Sequence, residues 1–488
     1  MNVLSRLQSR IERLRPSILL SAMLLVQTLV HVKYMDLPPI GFHQWRQTQT
    51  LAVARNFYEE SMNILEPRVD SRGQYTGITG MEFPIVSYAI AVGYKLFGFS
   101  NVVQRTVLLL FSFVALTGCF LFTKRFFQSQ WLAYATSVFL MFSPLFCYYS
   151  IVVLPDLPSL ALTFMGLYFF VSYQESGNTL FFAATLLTFS LSILIKIYAL
   201  AVFPFFAYEL WKSERVRSAR ILELALLGVT VVATGLWYLY ARHLSDTYHN
   251  FDFRLNMNFP YAIEVVPAVL KKVFVQWLPE LYINYAEFVL FCVGIYVVVR
   301  GKFEHGRRFV LLYLSAFIPY AIAFLPMFEI HDYYAIPALP MLVVLTTAGF
   351  ANLVSQSESI RWIRYLTLTL LAVLPVLGLV RSLSRFEGAG RPWDLMTIGR
   401  HLDEVVPNKH ALIVAAGDDS PSIYLYFMHR KGWAIAENLS ESQLMEMQMN
   451  GATYLVSSAR AVESQADVAR HLVPVSEYGS FRVFELKE

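Results

Sequence analysis

The chain has 488 residues, of which 56% are hydrophobic and only 15% charged. Soluble proteins carry roughly 25% charged residues, and the deficit here is concentrated in runs such as 108–122 and 339–349, so a wholly soluble enzyme is excluded and a polytopic membrane protein is indicated. The formal net charge of +4 is small; what carries information is where the charges lie, and no nucleic-acid partner is expected.

The N-terminus, MNVLSRLQSRIERLRPS, leads into an apolar stretch at 18–30. The HVKYMDLPP that follows has no small-residue cleavage site, so the segment reads as an uncleaved first span, not a signal peptide. Arg6, Arg10, Arg13 and Arg15 then hold the N-terminus in the cytoplasm. A helical span needs about 20 mostly apolar residues. Eleven segments qualify: 17–34, 102–123, 130–149, 157–174, 179–195, 198–211, 221–240, 282–299, 309–327, 335–353 and 363–382, with Lys196 interrupting the region 179–211. Segment 83–97 is shorter, about 15 residues, and reads as an interfacial or re-entrant helix. Cys119, Cys147 and Cys292 each sit in an apolar run without a CxxC, as small core residues.

Threaded from a cytoplasmic start, the inside loops carry Lys124 and Arg125, then Lys212, Arg215, Arg217 and Arg220, then Arg300, Lys302, Arg307 and Arg308, then Arg361 and Arg364. These clusters obey the positive-inside rule. The outside loops fall at about 35–101, 150–156, 241–281 and 328–334, followed by the C-terminal tail. The expected organisation is a transmembrane domain over 1–383, with a first outside loop at 35–101, and a soluble α/β domain over 384–488 on the non-cytoplasmic side. In that tail LIVAAG (412–417), WAIA (433–436), TYLVSS (453–458) and FRVFEL (481–486) read as strands, with helical spacing between them. Gly417 is not part of a GxGxxG, so a dinucleotide site is not supported.

The polar residues beside the spans fall on the outside face. In GFHQWRQ, Arg46 could hold a phosphate with its guanidinium fork while Trp45 offers an apolar wall to a sugar or lipid, with His43 beside them; the alternative is an interfacial belt of Trp and Arg. Arg55, nine residues on, points away from Arg46 on an ideal helix. Glu82, before Phe83-Pro84, could be a base, a metal ligand or a cap for the helix that follows. Asp156 lies at a helix start between Pro155 and Pro158, which suits either a cap or a carboxylate held in place. Lys196, deep in apolar sequence, calls for an anion or an aqueous cavity. His331, Asp332, Tyr333 and Tyr334 offer donors to phosphate oxygens, or form an aromatic belt. Glu82, Asp156, His43 and His331 could together ligate a divalent metal ion, though their separations do not establish it; no other cofactor is expected.

With AVARNFYE, MEFPxxxY, SPLFxYYSxxxxPDxxSL, LxKIYAL and HDYYxIPxLP in this order across 17–345, the chain resembles the GT-C superfamily of membrane glycosyltransferases. Within it, the resemblance is to the bacterial branch similar to protein mannosyltransferases and lipid A aminoarabinose transferases. It implies a GT-C-like fold of about 11 transmembrane helices with a small C-terminal α/β domain, in a bacterial inner membrane. It also implies transfer of a sugar from a polyprenyl-phosphate donor to a glycolipid, polysaccharide or protein acceptor on the outer face. By resemblance Asp156 and Glu82 match acidic positions in the outside loops, Lys196 a lysine after the middle spans, and Tyr333 and Tyr334 a phosphate-facing region. Relatives carry Asp-Glu where this chain has Arg46-Gln47, so the base falls to His43, Glu82 or Asp156. Two alternatives stand beside transfer: a carrier or flippase for a lipid-linked saccharide, and a non-catalytic scaffold.

Overall fold

The computed structural model describes residues 3–250, 260–418 and 420–487; of the expected outside loop at 241–281, residues 251–259 lie outside this set. Among the described residues five helices are long and apolar enough to cross a membrane: Pro16–Tyr34, Asn101–Phe127, Arg217–Tyr248, Asp332–Gln356 and Arg361–Glu387. A sixth span arises if the bent pair Ile263–Tyr282 and Tyr285–Val299, which turns through 118°, is taken as one. Length and composition therefore count five or six spans where the sequence offered eleven candidates. Part of the difference is that several apolar segments are broken, although Asp156–Ser176 and Glu304–Ala323 are whole helices. Segment 130–149 divides at Ser143-Pro144 into Gln130–Phe142 and Pro144–Tyr149. Segment 179–211 divides at Lys196 into Thr179–Ile195, a 3-10 turn Ile197–Val202 and Phe203–Lys212.

The chain forms two compact units. The first comprises Met1–Met35, Arg105–Leu236 and Leu255–Glu387 and is helical. Its helices approach closely where small residues allow it, as expected when lipid supplies no hydrophobic drive between helices. A Cβ on Gly294 would lie 1.9 Å from the Leu345 carbonyl oxygen, and one on Gly349 would lie 1.9 Å from that of Leu290. Helices Tyr285–Val299 and Leu339–Gln356 therefore meet backbone to backbone. Helices Asp156–Ser176 and Thr179–Ile195 form a hairpin across Gly177, which takes φ 66°. Ser192 hydroxyl contacts to Thr163 (2.8 Å) and Ser159 (3.1 Å) tie its arms together.

The second unit comprises Asp36–Gln104, Trp237–Arg254 and Gly388–Glu488. Its sheet has strands β1 (Leu412–Ala416), β2 (Lys431–Ile435), β3 (Ala452–Ser457), β4 (Leu472–Tyr478) and β5 (Phe481–Leu486) in the order β2-β1-β3-β5-β4. The pairs β1–β2 and β1–β3 are parallel; β3–β5 and β4–β5 are antiparallel. Alternation along the strands gives two apolar layers. Ile413, Ala415 and Val483 pack with helix Trp393–Val405 on one face; Val414, Leu455 and Leu486 pack with helix Glu441–Met449 on the other. β4 is the strand the sequence did not mark, because Pro474 interrupts it and shifts its register against β5.

The first loop is joined to this sheet. Arg72 N and Gly73 N donate to the Gly432 carbonyl at 2.9 and 2.8 Å, and Gly432 N donates to that of Asp70 at 3.2 Å. Gly432 is required at this point: its φ is 144°, and a Cβ would lie 2.0 Å from Ile413 O.

Candidate functional site

In the first unit the helix break at Lys196 and the start of helix Asp156–Ser176 place a cation beside a carboxylate. Asp156 is the first residue of its helix and is fully buried. A carboxylate there is favoured by the free amides of the first turn, yet the residue before it, Pro155, receives no side-chain capping bond. Lys196 closes helix Thr179–Ile195 in an extended conformation, with Nζ 3.8 Å from Asp156 Oδ1. The Tyr198 hydroxyl donates to the same oxygen at 2.8 Å.

Tyr198 links this pair to the segment 331–334. Its ring lies 5.6 Å from that of Tyr320, which stacks on Tyr334 at 6.4 Å and donates through its hydroxyl to the Tyr334 carbonyl at 3.1 Å. His331 stacks against Tyr333 and Tyr334 at 5.2 and 5.8 Å. Asp332 turns the other way, accepting from the Tyr149 hydroxyl at 2.6 Å and pairing with Arg385 at 2.8 Å. The Arg385 guanidinium lies over the Tyr148 ring at 3.8 Å. Lys196, Asp156, His331, Tyr333 and Tyr334 thus join one polar and aromatic cluster, while Asp332 is engaged in holding it. Sequence reasoning missed Tyr198, Tyr320, Tyr149 and Arg385. Tyr149 and Tyr198 stood in the YYS and KIY motifs; Arg385 followed the last apolar run and Tyr320 lay inside one, with no local signal.

Beside this cluster is an apolar cavity of about 530 Å³ lined by Leu278, Phe291, Phe317, Phe328 and Met341 among others. Phe328 borders both, its ring 5.9 Å from Tyr334 and 5.8 Å from Tyr320.

In the second unit the first loop forms helix Gln44–Glu59, so the HQWR head is helical from Gln44, and His43 precedes it in the left-handed region at φ 55°. Arg46 donates to Gln49 Oε1 at 2.6 Å and pairs with Glu82 at 2.7 Å. Glu82 is thus engaged by Arg46, and the N-cap position of helix Ile85–Phe97 is held by Pro84. Arg55 is not brought to this pair. Its buried guanidinium lies 2.5 Å from Asp70, donates to the Tyr426 carbonyl at 2.8 Å and covers the Tyr426 ring at 4.9 Å. Lys431, at 2.7 Å, and the Asn56 amide, at 3.0 Å, complete the shell around Asp70. Burial alone would raise the Asp70 pKa; Arg55 and Lys431 outweigh it and hold the carboxyl well below the usual range. Burial pushes the Lys431 ammonium down, with Asp70 opposing. These residues fasten the loop to the sheet, while Arg46 and Glu82 form a separate, half-buried pair, 11% and 20% exposed.

Among the described residues no group of three or more His, Cys, Asp or Glu side chains is gathered as a metal site.

Comparison with known proteins places the fold. A model of the dolichyl-phosphate-mannose-protein mannosyltransferase family matches residues 82–238, the stretch holding Glu82, Asp156, Lys196 and Tyr198. No protein of curated function matches the sequence. Among solved structures, ArnT from Cupriavidus metallidurans in the apo state superposes with a TM-score of 0.66 at 13% identity, over 95% of this chain and 97% of that one. The same enzyme bound to undecaprenyl phosphate gives 0.64 at 14%, with the same coverage. The oligosaccharyltransferase of Archaeoglobus fulgidus, in complex with zinc and sulfate, gives 0.58 at 14%, over 94% of this chain and 72% of that one. The resemblance to GT-C membrane glycosyltransferases is borne out, and the fold is that of ArnT: mostly helical with a small C-terminal sheet.

Proposed function

We propose that this protein is a multi-pass inner-membrane glycosyltransferase that takes a sugar from a polyprenyl-phosphate carrier. On this reading the acceptor is a glycolipid, polysaccharide or protein on the outer face, with the N-terminus cytoplasmic and the 384–488 domain outside. The observation that carries it is the Asp156–Lys196–Tyr198 arrangement, built at helix breaks and continuous through its tyrosines with an apolar cavity. A lipid phosphate needs a cation and hydroxyl donors at its head and an apolar groove for its tail. The likeness to a structure bound to undecaprenyl phosphate supports the same donor.

The chemistry follows from these residues. A polyprenyl phosphate is already a good leaving group, so the protein's part is to stabilise charge on the departing phosphate and to accept the acceptor's proton. Lys196, Tyr333, Tyr334 and His331 serve the first role. Asp156 is the first choice of base, with Glu82 and His43 behind it, a contribution of about 10²–10⁴-fold. Attack in a single displacement inverts the anomeric centre; a product that keeps the donor's configuration would refute that step.

The test is transfer of radiolabelled sugar from polyprenyl-phosphate donors by the purified protein, beside Asp156→Asn, Glu82→Gln and His43→Ala, with and without a chelator. Transfer by the native protein that one variant abolishes identifies the base. Tight donor binding without turnover would replace this reading by that of a carrier or scaffold. That second reading is favoured by one observation: Arg46 occupies Glu82 in an ion pair.

A further inference from the structure

Helix Asp156–Ser176 has a second cavity at its other end. Glu175 lies nineteen residues beyond Asp156, about 28 Å along a helix rising 1.5 Å per residue. The cavity there measures about 510 Å³. It lies between the ends of helices Asn101–Phe127 and Asp156–Ser176, helix Phe203–Lys212 and the start of helix Glu304–Ala323. Its floor is phenylalanine: Phe127 stacks on Phe303 at 5.2 Å, and Phe170 meets Phe205 at 5.8 Å. Gly306 makes room for the Phe303 ring, since a Cβ there would lie 1.8 Å from ring atom Cε1. The rim holds two ion pairs, Arg125 with Glu175 and Arg308 with Glu209. Tyr168 and Tyr208 back the two guanidinium groups at 5.5 and 5.7 Å. All four charged side chains remain open to a ligand, at 36%, 36%, 35% and 24% exposure.

We infer that this cavity binds a zwitterionic phospholipid with a primary ammonium headgroup, its phosphate on the arginines, its ammonium on the glutamates and its chains over the phenylalanines. The balance of charge selects the class. The two arginines face Glu175 and Glu209, with Glu304 also 3.9 Å from Arg308, so a headgroup that takes the arginines with its phosphate must bring a cation for the carboxylates it displaces. A purely anionic lipid would satisfy the arginines and leave Glu175 and Glu209 facing it. The position agrees as well, because this end of the helices carries Lys124, Lys212 and Arg307, basic residues of the kind found where spans reach headgroup depth. Nothing in this inference depends on sugar transfer.

The experiment uses the full-length protein, delipidated in detergent, with lipid retention read by native mass spectrometry and stability by the unfolding midpoint. The probes are phosphatidylethanolamine, phosphatidylcholine, phosphatidylglycerol and inorganic phosphate. The native protein should retain phosphatidylethanolamine about tenfold or more over the other two lipids, the scale of one charge-assisted hydrogen bond. Inorganic phosphate should leave the midpoint unchanged. Replacing both pairs, as Arg125→Gln with Glu175→Gln and Arg308→Gln with Glu209→Gln, should erase the preference. Equal retention of the three lipids overturns the proposal, and so does a midpoint that rises equally with inorganic phosphate, which marks a site for free anions. A preference that survives the fourfold variant overturns it too. The comparison among lipids needs no variant, so a misfolded mutant does not blunt the test.

Discussion

Removing Asp70 strands two cations in the second unit. Asp70 is 1% exposed and holds Arg55 at 2.5 Å and Lys431 at 2.7 Å, with side chains 2% and 21% exposed. In Asp70→Ala the Arg55 guanidinium keeps the Tyr426 carbonyl and ring but loses the carboxylate it pairs with. Leaving a buried charge without its partner costs about 3–5 kcal/mol. Removing both partners is gentler, since the desolvated charge goes with its counter-ion. Asp70→Ala with Arg55→Met should therefore cost less than the sum of the single variants, by about 1–3 kcal/mol of coupling. The assay is chemical unfolding of purified protein, followed by protease cleavage within 388–488 so that the readout belongs to this unit. Single variants within about 0.5 kcal/mol of the native protein, or strictly additive changes, would show that these contacts do not fasten the first loop to the sheet.

The same unit should lose stability in acid. Burial raises Asp70, Glu59 and Glu60, yet Arg55 and Lys431, His429, and Arg72 respectively bring all three below their ordinary values. Each contributes stability above the unfolded carboxylate range, near pH 4, that is lost as the pH falls toward the folded value; protease resistance unchanged from pH 6 to pH 2 would contradict this. Lys196→Ala should lower transfer by about 10²–10³-fold through kcat, and Tyr198→Phe by about tenfold or more, the scale of a hydrogen bond to a charged group. Single-turnover kinetics separates both effects from donor binding. Gly349→Ala drives a methyl group against the Leu290 carbonyl and should destabilise the first unit by about 1–3 kcal/mol, read as a fall in unfolding midpoint while the 388–488 sheet keeps its own.

Apolar content and charge placement made the membrane class legible, and four of the five strands stood out as short apolar runs between turn residues. The sequence did not show where apolar segments break. Ser143-Pro144 lies inside what reads as one span, and only the structure shows Ser143 capping a new helix through Phe146 N. Lys196 gave the opposite lesson: a single charge in apolar sequence marked a real break, because the chain must leave the helix to bring the ammonium to Asp156. β4 was hidden by Pro474, which lacks the amide that a strand interior uses.

At the site, residue types were legible and partners were not. Nine positions separate Arg46 from Arg55, which puts them on opposite faces of a helix, and that alone foretold their different fates. Nothing local could foretell that Arg55 would meet Asp70 while Arg46 met Glu82, since both pairs close through loops. Those pairings change how the missing Asp-Glu is understood. An acid at position 46 would stand beside Glu82 as a like charge. Arginine at that position instead pairs with Glu82 at 2.7 Å, so the carboxylate is already engaged by a cation. Asp156 stands differently, since Tyr198 donates to the same Oδ1 that Lys196 approaches at 3.8 Å, a looser contact than the 2.7 Å of Arg46 on Glu82. On the proposed reading, a lysine held that loosely can turn from Asp156 to the donor phosphate without breaking a close ion pair.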